Sequence, residues 1–310
     1  MSDLEYTPQE PDQNSIAPQA GPVANEPAEF FQSFSQPEAA APARIPHLGH
    51  LALLAAFLVC GFACMMALLG IALYFHYDGV SNTDQIKTNV QYLLGTEAVL
   101  YLVALLLSFF VFPLIWNKSF LSGIHWRGET ALRLGLRLPM LALGCFFLAL
   151  IDQTLLPGPA HAPIDDIFRT PGAAWLMFAF GVTVAPFCEE IFFRGFLLPA
   201  LATAWDWTTE KSNGKPALPL DENGHPQWSI PAMVAGSIAT SIPFALMHAE
   251  QTGHSLGPFL LLVTVSLILC AVRLKTRSLA ASTLVHACYN FMIFSTMLIG
   301  TGGFRHLDKL

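Results

Sequence analysis

Charge is what this sequence has least of. Only 12% of its 310 residues are Asp, Glu, Lys or Arg, against about a quarter in soluble domains. With 54% of residues hydrophobic, the composition is that of an integral membrane chain. A basic stripe is also missing, so nucleic acid is not an expected partner. The six cysteines, Cys60, Cys64, Cys145, Cys188, Cys270 and Cys288, all fall in apolar segments. They make no CxxC pair and no zinc-knuckle spacing, which argues against a disulfide framework and for buried, hydrophobe-like thiols. The formal net charge of −7 arises mostly in residues 1–47, which hold seven acids and one base. That segment lacks a positive n-region followed by an apolar stretch. It is rich in Pro, Ala and Gln and reads as a disordered acidic tail, not a signal peptide. Its Phe30-Phe31 pair and Phe34 are read as part of a solvated leader.

Long apolar runs are what the sequence does have. A spanning helix takes about 20 mostly apolar residues. Seven runs qualify, at 51–75, 92–116, 134–156, 171–205, 229–249, 256–273 and 279–300. The expected fold is therefore all-α, a polytopic bundle of about seven transmembrane helices within residues 48–302. Pro113, Pro139, Pro186, Pro199 and Pro243 interrupt the runs in a way membrane helices tolerate. Alternate connections divide the Lys and Arg residues ten to four. The richer side includes Arg44, Arg127, Lys211 and Arg277, which places the N-terminus in the cytoplasm. The polar stretch 205–228 contains Asn-Gly twice and is expected to form two turns on that side.

Against this background, Cys188-Glu-Glu-Ile-Phe-Phe-Arg-Gly-Phe196 stands out inside the fourth run. An ionisable group at membrane depth is costly and marks a candidate functional site. Glu190 and Arg194 are four apart on one helical face, acid first, the favourable order for an ion pair. That accounts for Glu190. Glu189 points about 100° away and needs another partner. The fifth run ends in Phe244-Ala-Leu-Met-His248, and the seventh carries His286-Ala-Cys-Tyr-Asn290. His286 and Asn290 share a face and both can donate hydrogen bonds toward one point. A Glu–His pair can activate water as a general base, and a His–Asn pair can hold an oxyanion.

The ordered set EExxxR, FxxxH and HxxxN, each in its own apolar run, resembles the CAAX-protease and bacteriocin-processing family of intramembrane glutamic endopeptidases. The phrases Phe192–Pro199 and Val272–Asn290 strengthen the likeness, which covers about residues 171–295. The resemblance implies a metal-independent peptide hydrolase needing no cofactor. Glu189 would be the catalytic glutamate, His248 its partner on water, His286 and Asn290 the oxyanion pair, and Glu190 with Arg194 the supporting pair. It also implies a peptide or protein substrate, which is prenylated for the eukaryotic relatives, and membrane lipid as surroundings.

Two features sit awkwardly with this. The family often has eight spans where seven are counted, and the 205–228 connection is long. Depth is a further difficulty. Glu189 falls about 27 Å from the outer start of its run, and His248 a similar distance from the inner start of its own. In a bilayer of roughly 30 Å the two would miss each other. A zinc hydrolase using His248, His286 and Glu189 as ligands is an alternative. A non-proteolytic scaffold or immunity protein that keeps these residues for binding is another. HExxH, GxGD and the rhomboid Gly-x-Ser-Gly pattern are absent. Cys188 is an unpromising nucleophile, because a thiol in apolar surroundings keeps its proton.

Overall fold

A computed structural model describes residues 44–79, 82–156, 170–221 and 225–306. All but the last four residues of the acidic tail lie outside these ranges. Among the described residues the secondary structure is helical, and seven helical runs are long and apolar enough to cross a membrane. They are α1 (Leu48–Tyr74), α2 (Val90–Trp116), α3 (Arg137–Leu155), α4 (Pro171–Asn213), α5 (Ile230–Met247), α6 (Leu256–Thr276) and α7 (Leu279–Gly300). Each expected span is present, with ends within a few residues of expectation for all but α4.

Two larger apolar centres hold the bundle together, beside two smaller ones around Phe294 and Phe180. Cys145 and Ala149 of α3, Leu269 of α6, and Val285 and Tyr289 of α7 form one. Leu54 and Phe57 of α1, Phe112 and Trp116 of α2, and Ile191 and Phe196 of α4 form the other. Many apolar side chains lie outside these centres, and large ones such as Val59, Phe62, Phe110 and Leu114 face outward. That is the arrangement expected where the solvent is lipid. Close backbone approach replaces hydrophobic drive: a Cβ on Gly61 of α1 would stand 2.7 Å from the Leu100 carbonyl oxygen of α2.

The run α4 is a composite. Thr183 breaks it, Pro186 follows, and residues Ile191–Leu197 wind as a π-helix before α-helix resumes at Leu198. Proline has no N–H for the carbonyl four residues back, so Pro186 and Pro199 remove the usual α-helical donors to the Val182 and Gly195 carbonyls. The polar residues 205–213, expected as a turn, instead extend the helix to Asn213. The first Asn-Gly is its stop signal, with Gly214 left-handed at φ 61° as C-cap. The second, Asn223-Gly224, lies outside the described residues. Arg44 packs on this end of α4, donating to Glu210 at 2.6 Å and to the Leu218 carbonyl at 3.1 Å.

The length of α4 resolves the depth difficulty. Its 43 residues correspond to about 65 Å of helix, roughly twice the hydrocarbon thickness, so its first residue marks no membrane boundary. Register is set instead where α5 begins. Asp206 accepts from the Ser229 N–H at 2.9 Å and hydroxyl at 2.5 Å, and Trp228 Nε1 donates to Thr203 Oγ1 at 2.9 Å. From that tie, about 25 Å of helix leads back to Glu189 and about 28 Å leads along α5 to His248. The two residues arrive at one level.

Candidate active site

The four residues singled out for chemistry come together. Glu189 Oε1 lies 3.8 Å from His248 Nε2, and Glu189 Oε2 lies 3.8 Å from His286 Nε2. Glu189, His248, His286 and Asn290 all line one cavity of about 350 Å³. The partner that helical spacing could not supply for Glu189 is thus a pair of histidines from α7 and the end of α5.

Behind this group lies a fully buried ionic layer. Arg194 NH1 donates to Glu190 Oε1 at 2.8 Å, and neither side chain is exposed. The other prong of the fork, NH2, donates to the Ser266 carbonyl at 3.1 Å and hydroxyl at 2.6 Å on α6. Glu190 Oε1 also lies 3.2 Å from His286 Nδ1. Arg194 therefore explains Glu190, as the spacing implied, and Glu190 in turn orients His286. Nothing in the sequence announced that link or Ser266, since both join residues far apart in the chain.

Phe244 of the FxxxH pattern has a visible task. Its ring lies 4.6 Å beneath the Arg194 guanidinium, packs edge-on to Phe193 and His286, and tilts against His248 at 4.9 Å. Its carbonyl oxygen lies 2.8 Å from His248 Nδ1. That bond fixes the tautomer, with the proton on Nδ1 and a lone pair on Nε2. At His248 the helix α5 has just ended.

Asn290 shares the cavity with His286, as their common face requires, and also donates to the Gly181 carbonyl at 2.8 Å. That carbonyl stands just before the Thr183 break in α4. Gly181 is required there because a Cβ would come within 2.7 Å of the Phe294 ring. Two further polar residues were not foreseen as neighbours. Glu97 of α2 lines the same cavity, and Tyr101 donates to it at 2.8 Å. Glu97 and Glu189 also border a second, apolar cavity of about 360 Å³ walled by Leu54, Leu58, Leu100 and Phe192. Among the described residues, no three His, Cys, Asp or Glu side chains are grouped as metal ligands would be.

Residues 171–292 match the family described as type II CAAX prenyl endopeptidase, Rce1-like. The likeness drawn from the three motifs holds over that segment, which runs from the start of α4 to just past Asn290 and is less than half of the chain. Neither the curated proteins nor the solved structures gave a match.

Proposed function

Taking residues 171–292 as an Rce1-like domain, we propose that the chain is an intramembrane endopeptidase in which Glu189 and His248 activate a water. One observation carries this reading. His248 Nε2 holds a lone pair, and Glu189 Oε1, also an acceptor, lies 3.8 Å away. Two acceptors that close need a shared donor, and the two O–H bonds of one water serve both.

The water oxygen attacks the peptide carbonyl while one of its protons passes to the Glu189–His248 pair as general base. That proton then goes to the leaving amine as the C–N bond breaks, leaving a carboxylic acid and an amine. The tetrahedral oxyanion is held by donors from His286 and Asn290. With Nδ1–H given to Glu190, His286 presents Nε2 to the cavity, where a proton makes it the donor. Asn290 has a second amide hydrogen beyond the one given to Gly181. Glu190 and Arg194 act through His286 and are positioning residues.

No metal or other cofactor enters these steps. The substrate is a peptide or protein, and the apolar cavity on the other side of Glu189 suits an apolar or lipidated part of it. The N-terminus is assigned to the cytoplasm, and residues 48–302 to the membrane-embedded protease unit behind an acidic tail. The test is proteolysis profiling of membranes bearing the wild-type chain or Glu189→Ala. Cleavage products confined to the wild type support the reading. Identical profiles with full biological activity from both would make the chain a scaffold.

A further inference from the structure

Outside the candidate active site, Arg273, Arg277 and two histidines gather where α5 and α7 begin and α6 ends. A cavity of about 160 Å³ there is lined by His125, His225, Gln227, Trp228, Arg273 and Arg277. Arg273 is 3% exposed. It sits two turns along α6 from Ser266, the residue that receives Arg194. The two buried guanidiniums differ in one respect. Arg194 has a carboxylate at 2.8 Å, whereas the hydrogen-bond partner of Arg273 among the described residues is His125 Nδ1 at 3.1 Å, and its Nε has none. A buried cation without a counter-ion is strongly disfavoured.

The surroundings add hydrogen-bond donors. The Asp221 carboxylate is engaged with two of the lining residues, Arg277 and His225 Nδ1, the latter at 3.0 Å and 3.2 Å. The His125 and His225 rings lie 4.8 Å apart. Burial, with help from Arg273, His225, Lys118 and Arg127, pushes the His125 imidazole down to about 2. It is therefore neutral, and because Nδ1 accepts from Arg273, its proton lies on Nε2 as a donor. The backbone holds it in place: His125 is left-handed at φ 58°, its carbonyl accepts from the Leu279 N–H at 3.0 Å, and the Ser278 hydroxyl donates to the Arg127 carbonyl at 2.8 Å. The connection before α3 is thus clamped to the turn between α6 and α7.

We propose that this cavity is a binding site for a phosphate group, with Arg273 as its principal cation and His125, His225 and Arg277 completing the cradle. Guanidinium forks suit tetrahedral oxyanions. Basic pockets between helices at the membrane surface are where anionic headgroups are held. The same chemistry serves a lipid headgroup or free phosphate, and the two are separable by experiment.

The full-length purified protein would be placed in nanodiscs of phosphatidylcholine alone or mixed with phosphatidylglycerol. In parallel it would be kept in detergent with inorganic phosphate, or with chloride or sulfate at equal ionic strength. The unfolding midpoint and the lipid retained by native mass spectrometry would be read. A rise of about 3 °C or more with phosphatidylglycerol and not with free phosphate identifies a headgroup site. A rise with phosphate beyond that with sulfate identifies a free anion. Either rise should disappear in Arg273→Gln. His225→Gln and Arg277→Gln, at the rim, should each weaken it even if Arg273→Gln does not fold. No rise in any arm, or an undiminished rise in both rim variants, overturns the proposal.

Discussion

His286 Nδ1 lies 3.2 Å from Glu190 Oε1, the same oxygen that accepts Arg194 NH1 at 2.8 Å. One buried carboxylate thus joins the ionic layer to the ring that faces Glu189. Glu190→Gln keeps the shape but turns one oxygen into a donor and weakens the hold on both partners. Its expected effect is a drop in turnover with a smaller change in KM, since His286 would lose its orientation and substrate contacts would not. Steady-state kinetics of the purified variant checks this; a change confined to KM would speak against it.

Arg194 uses its two prongs on different acceptors, Glu190 and Ser266. A lysine keeps the charge and cannot reproduce the fork. Arg194→Ala leaves Glu190 unpaired at depth, and truncating one partner of a buried pair costs about 3–5 kcal/mol. The yield of monodisperse protein after detergent extraction should fall sharply for Arg194→Ala and less for Arg194→Lys. A fully folded Arg194→Ala protein that has lost only catalysis would instead bring Arg194 into contact with the reacting atoms.

Much of this was legible in the sequence because membrane chains advertise their helices by length and their sites by misplaced charge. All seven spans were visible, as was the Glu190–Arg194 pair, because each rests on local spacing. The end of α4 was misjudged because Trp205-Asp-Trp-Thr-Thr-Glu-Lys looks like a polar loop, although nothing before Gly214 stops a helix. The depth mismatch between Glu189 and His248 came from equating an apolar run with a membrane crossing. The tie that removes it, Asp206 to Ser229, joins two residues with no pattern to connect them. The Gly181–Asn290 contact and the π-helical turn after Glu190 likewise depend on tertiary approach and proline placement, which periodicity does not encode.

Asp206 provides the next test. It accepts two hydrogen bonds from Ser229, the N-cap of α5, and so sets the level at which His248 meets Glu189. Asp206→Ala should cost about 1–2 kcal/mol for the capping contact alone. It should also lower activity although it lies some 25 Å of helix from Glu189. Melting temperature and hydrolysis rate, measured together, would show both. Unchanged activity at reduced stability would mean that register is held elsewhere.

The proposed cytoplasmic N-terminus rests on the ten-to-four division of Lys and Arg. Single cysteines at Asn213 and Thr276 in a cysteine-free background should resist an impermeant reagent in intact cells and react after lysis. Labelling of both in intact cells would reverse the orientation.

The central claim is that Glu189 and His248 act on one water without a metal. Removing an oxyanion donor typically costs about 10²–10³ in turnover, and loss of the base should be at least as damaging. Groups acting as a unit are non-additive, so Glu189→Gln combined with His248→Ala should be little slower than either alone. The decisive measurement is the peptide-hydrolysis rate of purified protein, wild type and Glu189→Gln, with and without a strong chelator. The account predicts a wild-type rate indifferent to chelation and a folded Glu189→Gln variant slower by about 10³ or more. A wild-type rate abolished by the chelator and restored by zinc, with metal content falling in His248→Ala and His286→Ala, would contradict it.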